Sequence, residues 1–239
     1  MVAAAAARAA GFGFNRIIDA EIDAQNPRTA PREIPAGLLS KKQGWWFSAI
    51  CCAIFFVAAA AISPLCFYLS HLPILLFYGY PYLKRVTLWT HLGLGIAWGI
   101  APLGGWLAAR PLWIGPFAPA LLLAGFSIFW VAGFDILYAL LDEEFDRGRN
   151  LHSMPAKLGK FDALRAAQIF HAFGILFLAL LVTHYIPNAR AYLLLGAIAI
   201  LLSISHYKVQ APVLTPKIID FAFFKVNAAI GFLVLFLVL

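Results

Sequence analysis

The chain has 239 residues, 63% of them hydrophobic and only 12% charged, about half the charge of a soluble domain, which excludes a water-soluble globular protein and points to an integral membrane one. The formal net charge of +7 would suit nucleic acid, but the lysines and arginines lie between apolar runs, where membrane topology accounts for them; no nucleic-acid partner is expected. Cys51, Cys52 and Cys66 fall inside apolar runs with neither zinc spacing nor a disulfide framework and read as small core residues.

Met1 to Phe14 is alanine-rich and too short to cross a bilayer, which takes about 20 residues. Arg8 interrupts it and no basic region precedes it, which argues against a signal peptide. It reads as the cytoplasmic half of a helix whose beginning is missing. Asn15 to Gly44 follows as a polar loop, in which Pro27, Pro31, Pro35 and Gly37 rule out a continuous helix. Within it Asn15, Asp19 and Asp23 recur every fourth residue, a spacing that drifts by only about 40° per step and keeps all three on one helical face. Arg28 and Arg32 are available to phosphate oxygens, or serve only as topology charges.

Trp45 to Tyr82 contains no acid or base and is long enough for two spans, with the break expected between Pro64 and Pro73. Lys84 and Arg85 close the second span. Leu88 to Trp106 reads as the next span and Leu107 to Gly115 as a short turn. Phe117 to Leu141 is a further span, uncharged until it delivers Asp135, and Tyr138, Asp142 and Asp146 follow. On a continuous helix those three aspartates point within roughly 40° of one another, with Tyr138 about 60° to the side. A second polar loop runs from Asp142 to Arg165, and spans follow over 165–185, 190–207 and 218–238. The expected fold is an all-α, polytopic transmembrane helical bundle forming one domain over residues 1–239, with seven complete spans and a partial N-terminal one. No internal repeat is evident.

Numbering the loops alternately places nearly all of the 18 Lys and Arg residues on one side; Arg110 and Arg190 lie on the other, and Arg8 and Lys225 within spans. The positive-inside rule makes the basic side cytoplasmic, and both aspartate motifs sit there. A carboxylate at the mouth of a membrane helix is costly to desolvate, so its default reading is functional. Magnesium takes hard oxygen ligands, commonly one or two carboxylates together with waters and phosphate oxygens. Two such motifs at a membrane surface therefore point to metal-assisted chemistry on a diphosphate, against the plainer reading of solvated helix ends. His71, His91, His152, His171, His184 and His206 are scattered without ligand spacing and read as packing residues. The phenylalanine-rich spans read as lipid-facing or helix-packing surface.

These motifs resemble those of the UbiA family of membrane-embedded aromatic prenyltransferases. The family pattern Asn-x-x-x-Asp-x-x-x-Asp is matched by Asn15, Asp19 and Asp23. The loop pattern Arg-Thr-Ala-x-Arg-x-x-Pro-x-Gly is matched from Arg28 to Gly37, and Tyr-Pro-x-x-Lys-Arg from Tyr80 to Arg85. The second motif is matched by Asp135, Tyr138, Asp142 and Asp146, with Ser153 and Gly159 in register. Arg16 stands where many members carry a further aspartate, and the family's nine helices imply that the first and most of the second are absent here.

The resemblance implies an Mg2+-dependent transferase that moves a polyprenyl chain from an allylic polyprenyl diphosphate, within membrane lipid, to a hydroxylated aromatic acid. It implies that Asp19, Asp23, Asp142 and Asp146 hold two magnesium ions, and that Asn15, Arg28, Arg32, Lys84 and Arg85 bind the diphosphate. Asp135, Arg85 and Tyr138 form the expected catalytic set, with Asp135 as the base or, equally, as a metal ligand. Segment 134–155 looks like the 4-hydroxybenzoate polyprenyltransferase-like branch, so the expected acceptor is 4-hydroxybenzoate in ubiquinone-type quinone synthesis. A hydroxynaphthoate in futalosine-route menaquinone synthesis is the alternative. The expected location is the bacterial inner membrane with the active site facing the cytoplasm. Outside this class stand an ion-coupled transporter, which predicts acids near helix centres, and an inactive truncated homologue.

Overall fold

The computed structural model describes residues 1–110, 116–211, 215, 217–218 and 221–239, and every regular element among them is helical. In chain order these are α1 (Val2–Ile18), α2 (Ala20–Asp23), α3 (Lys41–Ala60), α4 (Pro64–Leu69), α5 (His71–Leu83), α6 (Thr90–Gly99), α7 (Ala101–Ala109) and α8 (Ala118–Ala139). A 3-10 turn at Leu140–Asp142 leads to α9 (Glu143–Gly148), α10 (Met154–Leu158), α11 (Lys160–Tyr185) and α12 (Ala189–Val209), and a π-helical turn at Phe221–Lys225 leads into α13 (Val226–Val238). Six stretches among the described residues are long and apolar enough to cross a membrane: Lys41–Ala60, Thr90–Ala109, Ala118–Gly148, Lys160–Tyr185, Ala189–Val209 and Phe221–Val238. The all-α membrane fold is as expected.

Several boundaries differ from the sequence reading for local reasons. The first break after α3 falls at residues 61–63, ahead of Pro64, because Ser63 accepts from the Cys66 amide and Pro64 opens α4, where its missing N–H costs nothing. The expected second span of that region is therefore two helices, α4 and α5, joined at Ser70. Asn15 to Ile18 belong to α1 rather than to the loop, and α3 begins at Lys41, where Ser40 and Gln43 form a reciprocal capping box. The polar stretch from Asp142 to Arg165 is largely helical, through α9, α10 and the first turns of α11. Of the expected turn at Leu107–Gly115, Leu107–Ala109 lie in α7 and residues 111–115 lie outside the described residues, as do 219–220 at the start of the last expected span.

The chain divides into two compact units. The first comprises Met1–Lys84 and the segment from Leu103; the second comprises Arg85–Pro102 and the chain from Pro116 to Leu239. In the first unit α1 packs on α3 and α5 around Ala10, Phe14 and Cys51. Gly13 makes the α1–α3 crossing possible, since a Cβ there would lie 2.2 Å from Ser48 Oγ.

In the second unit α8 is the central rod. Half of its span is buried, against 22–39% for the other candidate spans, and α6 and α11 pack along it. Gly95 sets the α6–α8 distance: a Cβ on it would meet the Ile128 carbonyl oxygen at 2.3 Å. Without a hydrophobic drive between helices in lipid, such close backbone approach is what holds membrane helices together. The core around α8 runs from Phe126, packed with Leu178 and Ile198, to Ile136 and Leu137, packed with Ala163 and Ala167.

Candidate functional site

The first motif is built at the end of α1. The helix breaks at Asp19 (φ −90°, ψ 1°), yet the Asp19 amide still donates to the Asn15 carbonyl and the Asp23 amide to the Asp19 carbonyl. The helical spacing of the three polar side chains thus survives the bend, and Asn15 Nδ2 donates to Asp19 Oδ2 at 3.0 Å. Asp23 is buried, and the following loop folds around it. Arg32 NH1 donates to its Oδ2 at 2.7 Å, and Thr29 Oγ1 donates to its backbone carbonyl at 3.1 Å. The Arg28 amide donates to Asn26 Oδ1, which turns the loop at that point. Arg16, in place of the family's further aspartate, lies 3.7 Å from Glu33 and over the Phe12 ring. Lys84 ends α5 as its half-buried cap, and Arg85 follows it, exposed.

The second motif begins on α8. The 3-10 turn at Leu140–Asp142 interrupts the single continuous face on which the three aspartates were placed, because 3.0 residues per turn replace 3.6. Asp135, on α8 proper, keeps a partly exposed side chain, whereas Asp142 and Asp146 are buried. Glu143, Glu144 and Asp146 fall in the first turn of α9, the end of a helix that favours negative charge. Tyr138 packs its ring on Phe223 at 4.2 Å.

Four aromatic residues precede Asp142 and Asp146 on α8 at every fourth position: Phe126, Trp130, Phe134 and Tyr138. Phe126 stacks on Trp130 at 5.4 Å, Trp130 meets Phe134 edge to face at 5.6 Å, and Phe223 bridges Phe134 and Tyr138. The sequence reading assigns Tyr138 to the catalytic set and gives Phe126, Trp130 and Phe134 no role; the fourfold spacing is the signal for them.

Three histidines read as scattered packing residues are paired within the second unit. His91 Nδ1 lies 2.7 Å from Asp135 Oδ2, and the Met154 amide donates to His91 Nε2 at 3.2 Å. His171 Nδ1 lies 2.8 Å from His206 Nε2.

Among the described residues no three His, Cys, Asp or Glu side chains gather to hold a metal ion. Each motif instead offers a pair of aspartates, Asp19 with Asp23 and Asp142 with Asp146. These hard oxygen donors fit magnesium, which normally completes its shell with water and phosphate oxygens rather than with an all-protein cage.

Comparison with known proteins places this arrangement. The profile of the UbiA prenyltransferase family matches residues 1–228. The chain is 31% identical over 226 residues to a 4-hydroxybenzoate solanesyltransferase of Synechocystis sp., an alignment covering 94% of this chain and 75% of that protein. It is 30% identical over 159 residues to a 4-hydroxybenzoate octaprenyltransferase of Aliivibrio salmonicida, covering 66% of this chain and 54% of that protein. The aligned region thus spans about half the length of that relative. Among solved structures, a UbiA homolog from Aeropyrum pernix K1 in its apo form superposes with a TM-score of 0.88 at 31% identity, over 98% of this chain and 84% of that one. A digeranylgeranylglyceryl phosphate synthase, at 20% identity and a TM-score of 0.67 over 99% of this chain and 80% of that one, shares the fold. With a family profile matched over nearly its whole length and a relative matched over three quarters of that protein, this chain belongs to the UbiA prenyltransferase family.

Proposed function

We propose that the protein transfers a polyprenyl chain from an allylic polyprenyl diphosphate to a hydroxylated aromatic acid, 4-hydroxybenzoate, in the synthesis of a ubiquinone-type quinone. The observation that carries this reading is the run of α8: the partly exposed aromatic side chains Trp130, Phe134 and Tyr138 at fourfold spacing, leading to the buried carboxylates of Asp142 and Asp146. A ligand with a hydrocarbon tail and an anionic head requires that order of surfaces. The transporter alternative places acids near the middle of spans, whereas here Asp135 lies near the end of α8 and Asp142 and Asp146 follow it. The names of the similar proteins support 4-hydroxybenzoate as the acceptor.

In this proposal Asp19, Asp23, Asp142 and Asp146 are the residues that hold magnesium. Bound with the diphosphate, magnesium neutralises the charge that builds on the leaving group. Asn15, Arg28, Lys84 and Arg85 contact diphosphate oxygens or the acceptor's carboxylate, for which the planar arginine fork is suited. Arg32 joins them while keeping Asp23 in place. The allylic C–O bond breaks with its electron pair leaving on the diphosphate, and aromatic faces beside Tyr138 hold the developing cation. The ring carbon next to the acceptor's hydroxyl forms the new C–C bond, and its proton passes to the Asp135 carboxylate. The charge asymmetry of the loops supports this chemistry on the cytoplasmic face of the membrane, which we assign to a bacterial inner membrane.

The test is prenyl transfer in membranes carrying the protein, supplied with geranyl diphosphate and either 4-hydroxybenzoate or a dihydroxynaphthoate. The expected result is product from 4-hydroxybenzoate that disappears on chelation of magnesium. Product from the naphthoate alone moves the protein to menaquinone synthesis, and no product from either acceptor overturns the reading.

A further inference from the structure

His91 is 2% exposed, in the first turn of α6, and it touches two other elements of its unit. One of its ring nitrogens faces a group that can only donate. The Met154 backbone N–H, at the start of α10, points at Nε2 from 3.2 Å. Nε2 must therefore carry the lone pair, and the ring proton of the neutral imidazole lies on Nδ1. That proton is directed at Asp135 Oδ2, 2.7 Å away, the short distance of a hydrogen bond to an ionised acceptor.

Two consequences follow for Asp135. His91 engages its Oδ2, which leaves Oδ1 as the oxygen outside that bond to accept a proton from a ligand; the side chain is 25% exposed, enough for a ligand to reach it. The carboxylate is also fixed in rotation, because its anchor is itself held by a backbone amide and by the close α6–α8 packing at Gly95. A general base must be held within hydrogen-bond reach of the proton it removes, and a side chain at the end of a span is otherwise free to turn away.

We propose that His91, as the Nδ1–H tautomer, is the positioning residue for Asp135: it engages Oδ2 and presents Oδ1 to the acceptor's ring proton. Through Met154 the same imidazole ties the start of α10, just beyond the second motif, to the carboxylate that serves the reaction. The proposal rests on the prenyl-transfer reading above, and its test separates the two.

The first measurement is nitrogen-15 solid-state NMR of the whole protein in lipid bilayers with its six histidines labelled, the His91 signals being identified by their loss in His91→Asn. A protonated Nδ1 and a bare Nε2 in the unsubstituted protein are expected, with the Nδ1 signal moving in Asp135→Leu. A protonated Nε2 overturns the proposal, and this readout needs no turnover.

The second measurement is steady-state prenyl transfer. His91→Leu is expected to lower kcat by about 100-fold, the usual scale of a general-base contribution, while KM for either substrate changes less than about threefold. His91→Asn sets its amide N–H where Nδ1–H stood and should recover about tenfold of that loss. Unchanged kcat in His91→Leu, or equal losses in the two variants, overturns the positioning role. If the unsubstituted protein transfers no prenyl group yet shows the Nδ1–H tautomer, the assigned reaction fails while the pairing of His91 with Asp135 stands.

Discussion

Asp23 and Asp146 are both buried aspartates just beyond an apolar helix, yet the chain holds them by different means. Asp23 is secured by residues within ten positions of it: Arg32 on its carboxylate and Thr29 on its carbonyl, both from the proline-rich loop that follows. Asp146 sits in a short helix after α8, with no accessible surface, in a unit whose order comes from α6, α8 and α11 packing along their lengths. Both units rest on packed helices, but around Asp23 a local loop adds an arginine and a threonine, whereas Asp146 lies in the unit packed along α8. A loop held by a flexible arginine gives way by degrees, whereas a unit ordered by close helix packing depends on sub-ångström fits.

The largest effect should come from the buried carboxylates. Asp146→Asn keeps the shape and removes the charge, and turnover in the membrane assay should fall by about 1,000-fold, the scale of losing one preorganised electrostatic group in a dry site. Near-normal turnover would remove Asp146 from the proposed magnesium ligands. Asp23→Asn should lose less if the arginine-held motif tolerates adjustment; an equal loss would erase the functional half of the comparison.

Next comes the packing on which the second region depends. Gly95→Ala drives a methyl against the Ile128 carbonyl, a backbone atom that cannot rotate away, and should cost about 1–3 kcal/mol, as overpacking of a close-packed site does. Gly196 in α12 has nothing within 4 Å of its Cβ position, so Gly196→Ala should be neutral or slightly stabilising. Thermal unfolding of the two variants in one detergent reads the contrast. Gly95→Ala should also lower turnover, because α6 carries His91 to Asp135.

This is also where the sequence stops being legible. The repeat of Asn15, Asp19 and Asp23 could be read directly, because helical spacing is local and the i→i−4 bonds persist through the bend at Asp19. The long apolar runs were equally plain. The phase change at Leu140–Asp142 was hidden: nothing in that leucine-rich segment marks a 3-10 turn, so the carboxylates beyond it were placed on one continuous face with Asp135. His91 was missed because its partners lie 44 and 63 positions away, and spacing rules see only neighbours. One sequence signal did exist, since an ionisable residue at the start of an otherwise uncharged span is functional by default. His171 and His206, 35 positions apart on different helices, were hidden in the same way.

A smaller effect probes the first region. Arg32→Gln leaves buried Asp23 without its cation and should loosen the loop by about 1–3 kcal/mol, the cost of stranding a buried polar group. Hydrogen exchange of the segment from Asn26 to Gly37 would report it. Adding Asp23→Asn should recover part of that loss, since the stranded charge is then gone, and the double-mutant cycle isolates the pair's own coupling. Strict additivity would mean that the 2.7 Å contact carries no stability and that the loop is ordered by its turns alone.

The smallest contrast uses one device that occurs in both regions. Ser40 caps α3 by accepting from the Gln43 amide, and Ser153 caps α10 by accepting from the Ala156 amide. Ser40 is exposed and Ser153 fully buried. Removing an N-cap hydroxyl typically costs about 1 kcal/mol, but the two sites differ in what replaces it. Water reaches the Gln43 amide once Ser40→Ala opens the cap, so that variant should lose about 0.5–1 kcal/mol and keep its turnover. No water replaces Ser153 at the start of α10, and a buried donor left unmade costs about 1–3 kcal/mol. Ser153→Ala should therefore be the more destabilising of the two, although its cap bond is the longer, 3.4 Å against 3.2 Å. It should also lower turnover, because the Met154 amide that anchors His91 belongs to the same turn. Equal costs in thermal unfolding would show that burial does not separate the two regions, and the comparison would reduce to their charges.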